Sequence, residues 1–320
     1  MLNVYLLLYQ NIFLKKTFST ISKGWQYATD SFAQERKSYV RKQQWKTVWH
    51  TLQNPLAAEK WFDLLQNSHL KLIAPFRKRL YLKPFRVYVS TKWKTDRKIK
   101  VIADTYKFIL SKNELFQQVI HKDVEVIRFP LNDTMEAKIN LGYNEKFRKE
   151  GELVLSLNCD QMNGNIVAIS FSFEELEPSK WVCWMGCVQG QETNEANNTK
   201  ALQKLLFGMR PKAFVVNMMQ EICKNFEITA LLGPDNNIQA FRKKHAIHLP
   251  WAHTINFNYD EFWKESGGEK AIDGWYKLPL VAARRDIYDL KSSKRANYTK
   301  RYKMLDQLEI LVKEAVEKFK

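Results

Sequence analysis

Residues 152–188 constrain the fold more than any other part of the chain. Glu152-Leu-Val-Leu-Ser-Leu-Asn-Cys159 alternates apolar and polar residues, and Ile166-Val-Ala-Ile-Ser-Phe-Ser-Phe173 nearly does. Period-2 patterning of this kind marks strands with distinct faces. Asn163-Gly164, between the two runs, is a hairpin signal, because both residues tolerate positive φ. Trp181-Val-Cys-Trp-Met-Gly-Cys-Val188 is apolar on both faces, as a strand covered from both sides must be. The spacing predicts four successive strands, over 136–142, 152–159, 165–173 and 181–188, folded as an antiparallel meander.

Helical periods flank this core. Thr199 to Phe207 reads as a short helix stopped by Gly208 at the C′ position. Pro211 opens a second helix, whose apolar stripe is Val215, Met219, Ile222 and Phe226, with Asn217, Gln220, Glu221 and Lys224 facing away. Ile228–Leu232 reads as a strand, followed by Gly233-Pro234-Asp235 and a helix over Asn237–Lys244. Tyr298, Tyr302, Leu305, Leu308, Val312, Ala315 and Phe319 mark a long C-terminal amphipathic helix. Upstream, helices are expected over 31–53, Ala57–Leu72, 98–110 and 112–121. In the first of these Trp45, Val48, Trp49 and Leu52 form the expected buried face. The fold class is therefore α/β (α+β). A basic, mainly helical region spans 1–130, a mixed-sheet domain 131–290, and a basic amphipathic helix 291–320.

Charge is concentrated at the two ends. The chain carries a formal +17 over 320 residues. Residues 1–100 contribute 20 basic against 5 acidic side chains, residues 101–283 contribute 20 against 23, and residues 284–320 contribute 11 against 6. Basic surfaces attract phosphate-bearing partners: anionic lipid, a nucleotide cofactor or nucleic acid. The aromatic, Arg/Lys-rich stretch 75–100 suits half-buried strands with snorkelling cations or a nucleic-acid groove. No helix-turn-helix, zinc-finger or RNP pattern supports the groove, so nucleic acid is the weakest of these partners. Cys159, Cys183, Cys187 and Cys223 are too few for a disulfide framework and lack the paired CxxC spacing of a structural zinc site. The apolar start, Met1 to Leu14, has no basic residues ahead of it and no small-residue cleavage site after it. It predicts a docked helix and a cytoplasmic protein. Lys15, Lys16 and Lys23 leave open a peripheral position at the inner membrane.

Several segments together carry a family pattern. These are Cys187-Val-Gln-Gly190, Gly208-Met-Arg-Pro-Lys212, Tyr259-Asp-Glu-Phe-Trp-Lys-Glu-Ser-Gly-Gly268 and Ser293-Lys-Arg-Ala-Asn-Tyr298, with Arg301-Tyr302 and Leu305-Asp306. The set resembles the VirK/YbjX family of Gram-negative bacteria, most clearly over 181–310. Where that family generally reads Ser-Lys-Lys-Arg-Ala, this chain has one lysine fewer after Ser293. The resemblance implies a role in envelope integrity, resistance to cationic antimicrobial peptides and virulence, and brings no reaction with it.

The central element order also resembles the acyl-CoA-dependent (GNAT-like) acetyltransferase fold. There a loop after the central strand and a helix N-terminus hold the cofactor pyrophosphate. On that resemblance Gln189, Gly190, Gly208, Arg210 and Lys212 are the expected acyl-CoA contacts. The extra segment from Gln191 to Asn198, with its short helix, departs from the pattern. His245, His248 and Asp235 are the candidate catalytic groups: histidine titrates near neutrality, and Asp235 follows the last core strand. Their ordinary alternatives are a surface pair and a turn. No metal site is expected, because no acidic ligand stands in register with His245 and His248. The residues leave open whether the chain is an enzyme using acyl-CoA on a lipid-linked substrate or a non-enzymatic adaptor on an anionic membrane surface or an envelope-assembly partner.

Overall fold

The computed structural model describes residues 2–190, 196–242 and 257–320, and the chain forms two compact units. The first comprises residues up to Val87 together with Lys94–Lys107. Its helices are α1 (Leu2–Ser31), α2 (Lys37–Gln53), α3 (Pro55–Asn67) and most of α4 (Thr95–Leu110). Pro55 opens α3 at its first turn, where the missing N–H costs nothing. Ala58, Trp61, Phe62 and Leu65 bury one face of α3, and the Trp61 indole donates to the Tyr81 carbonyl at 2.9 Å. Residues 75–100 form no strand beyond isolated bridges. They fold as 3-10 turns over Ala74–Phe76 and Leu80–Phe85 before α4 begins.

Helix α2 is turned inside out relative to its expected orientation. Trp45, Trp49 and Leu52 are 64%, 61% and 57% exposed, while Gln43, Gln44, Thr47 and Thr51 are buried. Close packing causes the inversion. A Cβ on Gly24 of α1 would lie 2.3 Å from the Thr47 methyl and 2.8 Å from the Phe62 ring. Helices this close accept small side chains between them and exclude indoles. Two of the buried polar groups are satisfied locally: Gln44 donates to the Thr29 hydroxyl at 2.9 Å, and the Thr47 hydroxyl donates to the Gln43 carbonyl at 3.0 Å, whereas the Thr51 hydroxyl has no partner among the described residues.

The second unit comprises Tyr88–Trp93 and the chain from Phe108 on. After α5 (Glu114–Gln117) come strands β1 (Val124–Pro130), β2 (Glu136–Gly142), β3 (Leu153–Cys159), β4 (Gly164–Glu177) and β5 (Lys180–Gly190). Then follow α6 (Ala196–Leu205), α7 (Pro211–Asn225), β6 (Ala230–Pro234), α8 (Tyr259–Glu265), β7 (Glu269–Lys270), β8 (Trp275–Leu278) and α9 (Ser292–Phe319). The sheet order is β1-β2-β3-β4-β5-β6-β8-β7, antiparallel throughout except for the parallel pair β5–β6. The meander expected from the sequence is present, with β1 added ahead of it. Asn163 and Gly164 turn the β3–β4 hairpin at φ 63° and 85°. Residues Val182–Val188 are buried without interruption.

Helix α7 packs on β3, β4 and β5, and α9 packs on α7 and β1. Phe116 anchors this layer, meeting Phe226 at 5.2 Å and Phe319 of α9 at 5.4 Å between ring centroids. The face of α7 read as solvent-facing is buried: Asn217, Gln220 and Glu221 lie in the interior, with Gln220 donating to the Pro279 carbonyl at 2.7 Å. All four cysteines are buried free thiols. No helix among the described residues is long and apolar enough to cross a membrane.

Candidate functional site

The parallel pair β5–β6 is short. Val182, Cys183 and Trp184 pair with Ala230, Leu231 and Leu232, and beyond them β5 continues to Gly190 paired only with β4. Helix α8 fills the inner part of the gap. Trp263 is fully buried against Gly233, where a Cβ would come within 2.4 Å of the indole, and its N–H donates to the Pro234 carbonyl at 2.8 Å. The Tyr259 hydroxyl accepts the Val188 N–H at 3.2 Å. The aromatic segment Tyr259–Trp263 is thus a docked helix.

At the mouth of the gap the structure brings together two of the expected cofactor contacts. Lys212, in the first turn of α7, places its Cε 3.5 Å from the position of a Cβ on Gly190. Its ammonium lies 3.7 Å from the centroid of Phe257, which packs edge-on against Tyr259. Burial pulls the Lys212 pKa below the ordinary lysine value. Burial, and then the nearby Glu150, push the neighbouring Cys187 thiol well above its usual range, so it is no nucleophile at neutral pH. Gln189 is exposed on the β4–β5 ladder opposite Ala168.

Gly208 and Arg210 lie elsewhere, in a cleft of about 670 Å³ formed by α7, the 281–285 strap and the start of α9. The sequence places Gly208 at C′ of α6, whereas the structure puts Phe207 there, in the left-handed region at φ 52°, with Gly208 following at 78°. The Phe207 N–H donates to the Lys204 carbonyl and the Gly208 N–H to the Gln203 carbonyl, closing a Schellman turn. A left-handed phenylalanine is strained. Arg301 of α9 holds the turn by donating from Nε and Nη2 to the Phe207 carbonyl, at 3.1 and 2.7 Å. The same guanidinium stacks 4.1 Å from the Tyr298 ring centroid.

Cations and carboxylates alternate around the cleft. Arg210 pairs with Glu265, and Arg284 pairs with Asp306 and Glu309 at 2.5 and 2.6 Å. The Tyr302 hydroxyl accepts the Arg285 N–H at 2.9 Å. The Arg285 side chain is exposed and has no ion pair among the described residues. Asn217 is only 7% exposed, lines the cleft, and its amide makes no hydrogen bond with the described residues. The amide therefore faces the cleft and is available to a polar group entering it. Three of the four family-like segments supply this lining: Gly208–Arg210, the α8 segment through Glu265, and the start of α9. Sequence reasoning missed Arg284, Arg285 and Asn217. The Arg284-Arg285 pair counts only as charge in a linear reading, and Asn217 falls outside the apolar stripe.

Among the candidate catalytic groups, Asp235 is 4% exposed, and its Oδ1 accepts the N–H groups of Asn237 and Ile238 at 2.8 and 3.0 Å. It serves a turn, remote in role from the cleft lining. His245 and His248 lie outside the described residues. Of the helix expected over Asn237–Lys244, the described part is a 3-10 turn, Ala240–Arg242.

Fold and cleft together define a class: a mixed-sheet α/β unit whose basic C-terminal helix closes an arginine-lined cleft against α7. Residues 36–314 match the family described as a protein of unknown function (DUF535), and the chain belongs to that family. It is 21% identical over 274 residues to the Escherichia coli (strain K12) protein YbjX, covering 82% of this chain and 80% of that one. An uncharacterized protein of Haemophilus influenzae is 27% identical over 224 residues, covering 69% of this chain and 72% of its own length. A second Haemophilus influenzae protein is 35% identical over 115 residues, 36% of this chain. No solved structure matches the chain.

Proposed function

We propose that the chain is an acyl-CoA-dependent acyltransferase acting on an envelope component, through which it supports envelope integrity, antimicrobial peptide resistance and virulence. The observation that carries this reading is the first turn of α7. On one side it meets the mouth of the parted β5–β6 pair through Gly190 and Lys212. On another side it meets the arginine cleft through Arg210 and Ala213. A helix N-terminus beside guanidinium groups favours phosphate. The donor set fits a phosphorylated cofactor: Arg285 and Arg210 for phosphate oxygens, tyrosine rings for a base, and the Asn217 amide for its edge.

When bound, the cofactor would supply an activated acyl group. The chain's own part is then to hold the charged end in the cleft and keep the Lys212 side of the gap desolvated. Because Tyr259 and Trp263 already fill the interior, an acyl arm would be received at the mouth, beside Gly190.

Thermal protection tests the reading. Acetyl-CoA or palmitoyl-CoA at about a hundredfold excess over its Kd stabilises by about 2.7 kcal/mol. That corresponds to roughly 5–10 °C for a unit of this size. Arg210→Ala combined with Arg285→Ala should abolish the shift while leaving the unliganded melting temperature nearly unchanged. Absence of a shift with any CoA ester would remove the basis of the proposal.

A further inference from the structure

The inverted α2 leaves an aromatic surface that nothing in the first unit covers. Trp45, Trp49 and Leu52 point outward from α2, and Leu14, Phe18 (69% exposed) and Trp25 do so from α1. Trp25 and Trp45 meet edge to face at 6.0 Å, so the two stripes are one patch. Monomeric proteins in water rarely leave so large an apolar patch open without a function.

The charge around the patch selects its occupant. Arg41 and Lys42, both exposed, stand one turn before Trp45 on α2. Helix α2 contains no acidic residue, and α1 contains only Asp30. Beside the patch lie Lys46 and His50. Burial first, and then the cations Arg86, Lys42, Arg79 and Lys98 around one or both of them, lower their pKa values, so the local potential is positive. Indole rings flanked by Lys and Arg suit the headgroup layer of a membrane, where the ring is half wet and the cation meets phosphate. Nucleic acid would leave the leucine and phenylalanine side chains unused. An acidic protein groove would not need a flat stripe running along two helices.

We propose that the α1–α2 face docks the chain in the plane of an anionic bilayer, with Phe18, Trp45, Trp49 and Leu52 in the interface and Arg41 and Lys42 on lipid phosphates. This docking is independent of the acyl-transfer reading.

Co-sedimentation of the full chain with phosphatidylcholine vesicles, with and without phosphatidylglycerol, tests it. The expected result is partitioning that requires phosphatidylglycerol and weakens with salt. Arg41→Gln and Lys42→Gln should each weaken partitioning about fivefold. Trp45→Ser and Trp49→Ser should each weaken it about tenfold, and Phe18→Ser, on the other helix, should repeat that loss. Because these side chains are exposed, melting temperatures should stay put. Three results would overturn the proposal: no partitioning, partitioning indifferent to phosphatidylglycerol or to the tryptophan variants, or a wild-type dimer that Trp45→Ser with Trp49→Ser converts to monomer.

Discussion

Gly186 offers a sharp test of how β5 is positioned. It lies where β5 leaves β6 and runs on toward Gly190. A Cβ built there would stand 1.9 Å from the Glu150 carbonyl oxygen and 2.7 Å from its carbon, against an ordinary contact that begins near 3.4 Å. The obstructing atoms are backbone and cannot rotate away. They are also held: the Glu150 N–H donates to the Phe147 carbonyl at 2.8 Å and the Glu152 N–H to the Phe171 carbonyl at 3.0 Å. Gly151 is equally confined, with Phe171 backbone atoms 2.5 Å from its own Cβ position. Gly186→Ala therefore has to displace the strand or the 147–152 segment by about an ångström. Overpacking of this kind costs about 1–3 kcal/mol, and rigid neighbours place it at the upper end. Restricting the unfolded chain returns about 0.5–1 kcal/mol. The net loss is about 2 kcal/mol, roughly 4–8 °C in Tm for this unit. Gly190→Ala is the control, because its nearest neighbour is the flexible Lys212 chain at 3.5 Å. Near-UV circular dichroism melts of the three proteins decide the matter. If Gly186→Ala melts with the wild type, the packing of β5 against Glu150 is wrong and the placement of the gap goes with it.

Three further outcomes are expected. Lys212→Met should melt higher than wild type at neutral pH, with the advantage shrinking as pH rises toward 10.5. The folded-state pKa is lowered by burial, so the charged form is penalised below that pKa and the penalty vanishes once lysine is neutral in both states; a pH-independent difference would contradict this. Arg301→Met should lose about 1–2 kcal/mol with its contacts to Phe207 and Tyr298, and Phe207→Gly in the same chain should restore part of it by relieving the left-handed strain, as urea titration would register. Asp235→Ala should cost about 2 kcal/mol, and Asp235→Asn much less, because an amide oxygen can still cap Asn237 and Ile238; equal losses would mean the carboxylate charge matters.

What the sequence disclosed follows from the range of the interactions involved. Strands β2 to β5 and helix α9 were legible because alternation, a continuous apolar run in β5 and the helical period are all local patterns. Strand β1 was not, since a register shift between Glu125 and Ile127 breaks its alternation. Strands β7 and β8 are too short for any period to show. The site divided along the same line. That Gly190 and Lys212 lie side by side agrees with the acetyltransferase-like resemblance on which both are expected. Gly208 and Arg210 belong instead to a cleft fixed by Arg301, 94 residues from Phe207, and by Glu265, 55 residues from Arg210. No local pattern encodes such pairings.

The same contacts alter what the net charge means. Both basic ends of the chain read as surfaces for an anionic partner, yet the structure spends them differently. In the C-terminal part, Arg284 is neutralised by Asp306 and Glu309, Arg295 donates to the Leu290 and Tyr288 carbonyls, and Arg301 grips Phe207. These arginines build the cleft and hold α9 in place. In the first unit, Arg41 and Lys42 have no such partners among the described residues and stand beside exposed indoles. The inversions of α7 and α2 complete the contrast. Helix α7 is covered on both sides, so most of its polar stripe is buried, and Asn217 alone of that stripe lines the cleft. Helix α2 is covered on its polar side, so its apolar stripe becomes an outer surface. High salt should therefore release the chain from anionic vesicles through its first unit.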